Sequence, residues 1–309
     1  MQGTKSAVVI GTVVCWLSWT PLLAQSLDTL VLLYTGGAFG YLEACPCSKE
    51  NLGGLARRMT LVMQTRAAFG EKVVLVDAGN QFSTYPKSRE EAALVANLLA
   101  AMQYDAINLA EYDLTYGLDF AKVTLSTLPV VSTNLSDKQG ATLAPRYRIK
   151  RIRRVSIAFI GVLTESAFAN AQDSAKMDAR LEPALPALER TLESLRKEAP
   201  DLTVLLLRTQ DIGLEKKLAE RFPQLSVIIT NSEEFLTETP SKVGSTFVLS
   251  AGHDGEYIGR LMLILNGKEV IKAENALIPL SPKVQSDPKM EAAIQAFKQS
   301  QKRKQKSVN

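Results

Sequence analysis

The chain has 309 residues, of which 46% are apolar and 22% are charged. This composition excludes a disordered protein, because it supplies enough apolar surface for a packed core. Three cysteines in a chain of this length exclude a disulfide-stapled miniprotein. The single histidine excludes a metal centre built from several imidazole ligands. The formal net charge is +4, and Lys298–Asn309 contributes five basic residues and no acidic one.

Residues 1–26 have the pattern of a secretory signal peptide. A lysine precedes an apolar run over residues 7–19, and a proline and small residues follow it. An uncleaved anchor is the alternative, but the apolar run is short for a membrane span. We therefore expect cleavage near Ala24 to Ser26, which removes Cys15. The mature chain is then periplasmic or secreted and has no transmembrane span.

Apolar strand-like runs alternate with helical patterns along the rest of the chain. The sequence predicts, in order, strand 27–34, helix 52–69, strand 72–77, a helix after a capping box at Ser88 and Glu91, strands 106–109, 129–132, 147–152 and 155–163, helix 181–197, strand 202–207, helix 214–222, strands 225–230, 246–251, 255–265 and 269–278, and helix 288–304.

This alternation predicts an α/β protein with parallel strands early and antiparallel strands late. The last three predicted strands form an antiparallel group around the Asn266–Gly267 turn. We expect one large domain over residues 27–285, followed by a C-terminal helix and basic tail over residues 286–309. A second basic run lies between residues 146 and 154, and it is either an anion, lipid or partner patch or a solvated strand face. We favour the solvated face, because runs of charge are usually surface.

A series of segments carries a resemblance to a known family. In order they are LVLLYTGGAFGYLEA, GGLARR, VLVDAGNQF, YDAINLAEYDLTYG, LPVVSTNL and VSIAFIGVLT, and later DLTVLLL, LSVIITNSEE and FVLSAGHDGEYIGRLML. The ordered set, over about residues 27–278, resembles the catalytic domain of the 5'-nucleotidase branch of the calcineurin-like metallophosphoesterases. The resemblance implies an αββα four-layer sandwich of two mixed sheets, which in the family holds two metal ions. It also implies that a C-terminal nucleoside-binding domain is missing here.

The family's metal ligands fall on different side chains in this sequence. The first Asp and the first His of the family fall on Gly37 and Phe39, and the Asp after the second strand falls on Asn80. The Asn and the catalytic His fall on Glu111 and Tyr112, and the carboxylate that follows them is kept as Asp113. The later histidines fall near Arg208, Ser232 and Glu234. Two catalytic metals require carboxylate and imidazole ligands. The sequence therefore predicts a catalytically inactive protein whose degenerate cleft comprises Gly36, Gly37, Phe39, Asn80, Glu111, Tyr112 and Asp113. His253, the only imidazole, is interpreted as a surface residue.

Cys45, Pro46 and Cys47 follow the loop after the first strand, and the resemblance places them at the rim of the cleft. One interpretation is a local disulfide, since exported thiols oxidise and a strained C-x-C ring is easily reduced. A second is a thiolate site for a soft metal ion such as Cu(I). A third is a disulfide to another chain. We rank the local disulfide first.

The sequence thus predicts an exported, non-catalytic binding or scaffold module with no cofactor. Its partner is an unidentified protein or small molecule and not a nucleic acid. One alternative is a metal-dependent phosphoric-ester hydrolase with a site rebuilt from Asn80, Glu111 and Asp113. The other is a thiol-redox or soft-metal-binding protein that uses Cys45 and Cys47.

Overall fold

The structure is a computed structural model that describes residues 27–45, 48–83, 88–231 and 236–308. The predicted signal peptide lies outside the described residues. The strands are β1 (Asp28–Thr35), β2 (Val73–Asp77), β3 (Ala106–Asn108), β4 (Val130–Val131), β5 (Leu135–Asp137), β6 (Tyr147–Ile152), β7 (Val155–Leu163), β8 (Ala179–Leu181), β9 (Leu202–Arg208), β10 (Val227–Asn231), β11 (Ser241–Val243), β12 (Thr246–Leu249), β13 (Tyr257–Asn266) and β14 (Glu269–Pro279).

Helices connect most of the parallel strands, and further helices follow β7 and β14. In chain order, the α-helices of the described residues are α1 (Leu55–Phe69), α2 (Arg89–Met102), α3 (Leu118–Thr124), α4 (Glu165–Phe168), α5 (Asp173–Asp178), α6 (Ala184–Leu195), α7 (Leu214–Arg221) and α8 (Pro288–Val308). Helix α2 begins as the sequence predicts, because the Ser88 hydroxyl accepts a hydrogen bond of 2.9 Å from the Glu91 N–H. Helix α6 begins three residues later than predicted, because residues 179–181 pair with β5. None of the helices in the described part of the chain combines the length and the apolar content that a membrane crossing requires.

Two six-stranded mixed sheets form the centre of the molecule. The first sheet has the order β14-β13-β1-β2-β3-β4, and the second has the order β11-β12-β10-β9-β7-β6. Alternate residues of each strand point to opposite faces, so each sheet buries apolar side chains on both sides. One cluster fills the space between the sheets and includes Leu32, Val74, Phe159 and Leu206.

The two outer faces of the sheets are covered by helices. Residues of α1, α2 and α8 pack on the first sheet, and residues of α6 and α7 pack on the second. Met290 and Ile294 of the C-terminal helix are 3% and 0% exposed, so this helix is part of the first outer layer. The layers therefore follow the order helix, sheet, sheet, helix, and the predicted αββα sandwich is confirmed.

The predicted closing antiparallel group is wrong for one of its three strands. Strand β1 pairs with the late strand β13 in antiparallel fashion, while β7, β9, β10 and β12 are all parallel. Strand β12 therefore belongs to the second sheet and not to an antiparallel group with β13 and β14. The Asn266–Gly267 turn does join β13 and β14 as an antiparallel pair. Strand order depends on contacts distant in sequence, which local patterns do not encode.

Candidate functional site

The floor of the cleft is a buried ion pair between the two sheets. Arg208 is the last residue of β9, and its Nε and Nη2 atoms lie 2.8 and 2.7 Å from Oε1 of Glu111. Glu111 lies in a short 3-10 turn after β3, and both side chains are completely buried. Nη1 of Arg208 donates to the carbonyl of Asn231 at 3.0 Å. Arg208, at the end of β9, thus joins the turn after β3 to the end of β10.

Asn80 connects the loop after β2 to this ion pair. Its side-chain amide donates to Oε1 of Glu111 at 3.0 Å, and its Oδ1 accepts from the Tyr112 N–H at 3.2 Å. Asn80 has a φ of 64°, a left-handed conformation that asparagine tolerates better than most residues. Three cleft residues that the sequence places together are therefore joined directly.

Gly36 and Gly37 bring the loop after β1 against Asn231. A Cβ on Gly37, whose φ is 59°, would lie 2.8 Å from Oδ1 of Asn231, and a Cβ on Gly36 would lie 3.3 Å from the Asn231 Cβ. Asn231 is itself fixed, because its amide donates to the carbonyl of Gly79 at 2.9 Å. The close approach leaves no space for a side chain at position 37.

Asp113 holds the loop after β2 in place through backbone N–H groups. Its Oδ1 accepts from Gln81 at 2.6 Å and from Phe82 at 3.3 Å. Its Oδ2 accepts from Ala110 at 3.0 Å and from Asn80 at 3.2 Å. Burial raises the pKa of Asp113 to about 7, against the opposing effect of these donors. Both carboxyl oxygens already accept hydrogen bonds from backbone N–H groups, so the role of Asp113 in this arrangement is to hold the loop.

Two aromatic rings lie at the outer part of the cleft. The rings of Phe39 and Tyr112 are 6.0 Å apart at an angle of 65°, an edge-to-face arrangement. Both residues are half-buried, and Phe39 has a φ of 47°. The structure therefore brings together all seven residues of the predicted cleft.

A second buried polar network lies next to the cleft. Asp77, the last residue of β2, accepts hydrogen bonds from the Thr35 hydroxyl, the Gln81 amide and the Gly79 N–H. Burial raises the pKa of Asp77, and the positive charge of Arg58 opposes this rise. Arg58 is only 1% exposed and donates to the Tyr104 hydroxyl at 3.3 Å.

Sequence reasoning missed this second network and also the central role of Arg208. Arg58 is the last residue of the GGLARR segment, and Asp77 opens the DAGN segment. A signal was present, since Arg58 follows the apolar Leu55 by three positions on the inner face of α1. A charged residue on an apolar helix face requires a buried partner.

The remaining predicted residues are placed as follows. Cys45 is 2% exposed and lines a groove beside Phe297 and Lys298 of α8, and Cys47 lies outside the described residues. Ser232 and Glu234 also lie outside them. His253 is exposed, and its Nδ1 lies 2.9 Å from Oδ2 of Asp254. Within the described ranges, no group of three or more His, Cys, Asp or Glu side chains is arranged to hold a metal ion.

The chain is similar to known proteins in sequence and in fold. No family model matches the chain. The snake venom 5'-nucleotidase of Naja atra is 25% identical over 314 residues, which cover 87% of this chain and 56% of that protein. The crystal structure of a 5'-nucleotidase precursor from Thermus thermophilus superimposes with a TM-score of 0.75 at 20% identity, over 88% of this chain and 59% of that one.

The calcineurin-like phosphoesterase YfkN from Bacillus subtilis has a TM-score of 0.74 at 17% identity, and the match covers 89% of this chain and 98% of that structure. The chain is related to the 5'-nucleotidases and the calcineurin-like phosphoesterases. The family resemblance of the sequence is thereby confirmed, and the fold is that of these phosphoesterases. The chain spans about half the length of the curated 5'-nucleotidases that it matches.

Proposed function

We propose that this protein is an exported, catalytically silent relative of the 5'-nucleotidases that acts as a binding or scaffold module. The observation that carries the proposal is the buried ion pair of Arg208 and Glu111. The resemblance puts Glu111 where the family has a metal-binding Asn, and Arg208 near the position of a later His. The cleft of this chain therefore already contains a cation, and that cation is a side chain.

The cleft residues do not fit two catalytic metal ions. Metal-dependent hydrolysis relies on ligands that hold divalent ions and lower the pKa of bound water. At the matching positions, Gly37 and Phe39 have no ligand atom in their side chains. The Glu111 carboxylate is engaged by a guanidinium 2.7 Å away, and a divalent ion beside it would be repelled by that positive charge.

A hydrolase with a rebuilt single-metal site is the second candidate, because the related proteins are named as hydrolases. Such a site would use Asn80, Glu111 and Asp113. Two features count against it: the carboxylate oxygens of Asp113 accept four backbone N–H bonds, and Asn80 directs its amide nitrogen, not its oxygen, toward Glu111.

Two further parts of the proposal concern the compartment and the thiols. Export is supported by the signal-peptide pattern of residues 1–26, which lie outside the described part of the chain. A local disulfide between Cys45 and Cys47 is supported by the burial of Cys45, which is not a free thiol. Redox or soft-metal chemistry at this pair is the competing proposal.

The deciding experiment is elemental analysis of the mature protein, purified without a histidine tag or chelators, together with hydrolysis assays on nucleotides and on a generic phosphodiester. We expect less than about 0.1 equivalent of Mn, Fe, Zn or Co, and no hydrolysis after any of these metals is added. One equivalent of such a metal that supports turnover and is lost in Glu111→Gln would instead establish the hydrolase. Stoichiometric copper lost in a Cys45→Ser, Cys47→Ser variant would establish the thiolate site. Arg57→Gln, a change outside the cleft, is the matched control, and its metal content and hydrolysis should equal those of the wild type.

A further inference from the structure

An apolar pocket lies between helix α3 and the strands β4 and β6. Its volume is about 170 Å³. Six leucines line it: Leu109, Leu114, Leu118, Leu125, Leu128 and Leu143. A cavity of about 150 Å³ lined by aliphatic side chains stays dry and accepts a molecule the size of benzene. The pocket therefore has room for an apolar group of about six carbon atoms.

The mouth of this pocket carries positive charge. Arg148, on the edge strand β6, lines the pocket, and its Nε donates to the carbonyl of Val130 at 3.3 Å. This bond fixes the base of the guanidinium, and among the described residues its two terminal nitrogens have no hydrogen-bond partner. A guanidinium presents a planar pair of donors that matches a carboxylate.

A second cation at the mouth is neutralised by a neighbouring acid. Lys122 of α3 also lines the pocket, and its Nζ lies 3.1 Å from Oδ2 of Asp137. Hydrogen bonding from Lys122 is the main cause of the lowered pKa of Asp137, so this acid is ionised at neutral pH. The pair has no net charge, and Arg148 gives the mouth its excess positive charge.

We propose that this pocket binds a small monocarboxylate with an apolar tail of about six carbons. The tail lies among the six leucines, and the carboxylate accepts hydrogen bonds from the terminal nitrogens of Arg148. The inference goes beyond the proposed function and does not depend on the chemistry of the cleft. It also gives a role to one residue of the basic run between residues 146 and 154, which the cleft leaves unexplained.

The test is calorimetric titration of the full mature protein with three ligands that each contain six carbon atoms: hexanoate, hexan-1-ol and hexylamine. We expect one molecule of hexanoate to bind with a dissociation constant of the order of 1 mM or below, given the limits on binding energy per ligand atom. Hexan-1-ol should bind about tenfold more weakly, and hexylamine should not bind. Equal affinities for all three ligands would overturn the proposal. So would the absence of hexanoate binding at a concentration 10-fold above the expected dissociation constant.

Two variants locate the binding to the pocket. Arg148→Gln should weaken hexanoate about 5- to 10-fold and leave hexan-1-ol unchanged, since it removes the charge but not the apolar volume. Arg151→Gln is the matched control, because Arg151 is an exposed cation of the same strand that does not line the pocket. Ala121→Leu fills the pocket and should abolish binding of both ligands. Because Arg148 is exposed, its variant remains informative if Ala121→Leu fails to fold; unchanged hexanoate affinity in Arg148→Gln would refute the assignment.

Discussion

At the scale of single residues, Arg208 and Glu111 form an ion pair that is completely buried. Both charges are removed from water, and each is compensated by the other and by the neighbouring amide and carbonyl groups. Burying two ions is unfavourable, and their attraction offsets this only while both are present. Oε2 of Glu111 is buried and has no hydrogen-bond partner in the described part of the chain, so the compensation is incomplete.

This leads to a prediction for the pair. Arg208→Met should lower the free energy of unfolding by about 3–5 kcal/mol, because it leaves Glu111 buried and uncompensated. The double variant Arg208→Met, Glu111→Leu should recover most of this loss. Urea denaturation of the two variants and the wild type is the measurement. The exposed pair Lys304 and Glu90 is the control, and Lys304→Gln should leave the stability nearly unchanged. Additive losses in the double variant would contradict the coupling.

Asp113 leads to a prediction about pH. The carboxyl has a pKa near 3.9 in the unfolded chain and about 7 in the folded protein. Between these values the folded state retains a proton that the unfolded state has released, so the contribution of Asp113 to stability is lost as the pH rises toward 7. We expect the free energy of unfolding to fall by an amount of the order of 2 kcal/mol between pH 5 and pH 7.

The measurement is urea denaturation at pH 5, 6 and 7 for the wild type and for Asp113→Asn. The variant cannot ionise at this position, so its stability should be lower but flatter over the same range. The two proteins differ in titratable side chains only at position 113, so the difference between the two profiles isolates Asp113. Parallel profiles would show that the buried carboxyl is already ionised at pH 5.

At the scale of elements, Gly161 of β7 lets the two sheets approach each other. A Cβ at this position would lie 2.6 Å from the carbonyl oxygen of Val131 and 2.5 Å from Oδ1 of Asn108, both in the first sheet. The Asn108 amide meanwhile donates to the carbonyl of Val162 at 3.0 Å. The hydrogen bond to Val162 and the absence of a side chain at Gly161 thus occur at adjacent residues of β7.

Gly161→Ala should therefore push β3 and β4 away from β7. We expect a loss of about 3 kcal/mol in the free energy of unfolding, because the methyl group meets the carbonyl of Val131, which is held in the first sheet. Gly213→Ala, at the start of α7, is the matched control. It has open space around it, and its left-handed conformation (φ 72°, ψ 14°) alone costs about 1 kcal/mol. Thermal unfolding followed by circular dichroism measures both, and equal losses would show that the sheets adjust without strain.

The sequence predicted the elements far better than their arrangement. Buried runs such as β2 and β9 were located within one or two residues, because apolar periodicity is a local property. The sheet assignment of β12 was wrong, because it depends on pairing with β10. For the cleft, the family resemblance brought Asn80 and Glu111 together correctly. It could not show that Arg208 bonds to Glu111, since the two residues are 97 positions apart.

At the scale of the whole molecule, the N-terminal strand lies at the centre of its sheet. Strand β1 is flanked by β2 on one side and by β13 on the other, and the seven pairs with β13 run from Asp28 to Tyr34. The first sheet is therefore incomplete until the chain has extended through β14, which ends at Pro279. During synthesis, β1 is therefore made long before its antiparallel partner β13.

This has a consequence for how the protein is made. A chain that ends before β13 leaves one edge of β1 unpaired, with Leu30 and Leu32 deprived of neighbours in the core between the sheets. We expect chains arrested on the ribosome at residue 250 to be fully sensitive to protease, and chains released at residue 309 to be resistant. Protection already present at residue 250 would show that the early strands fold alone. We therefore expect synthesis and folding to be separated in time, with the nascent chain unfolded until β13 and β14 have left the ribosome.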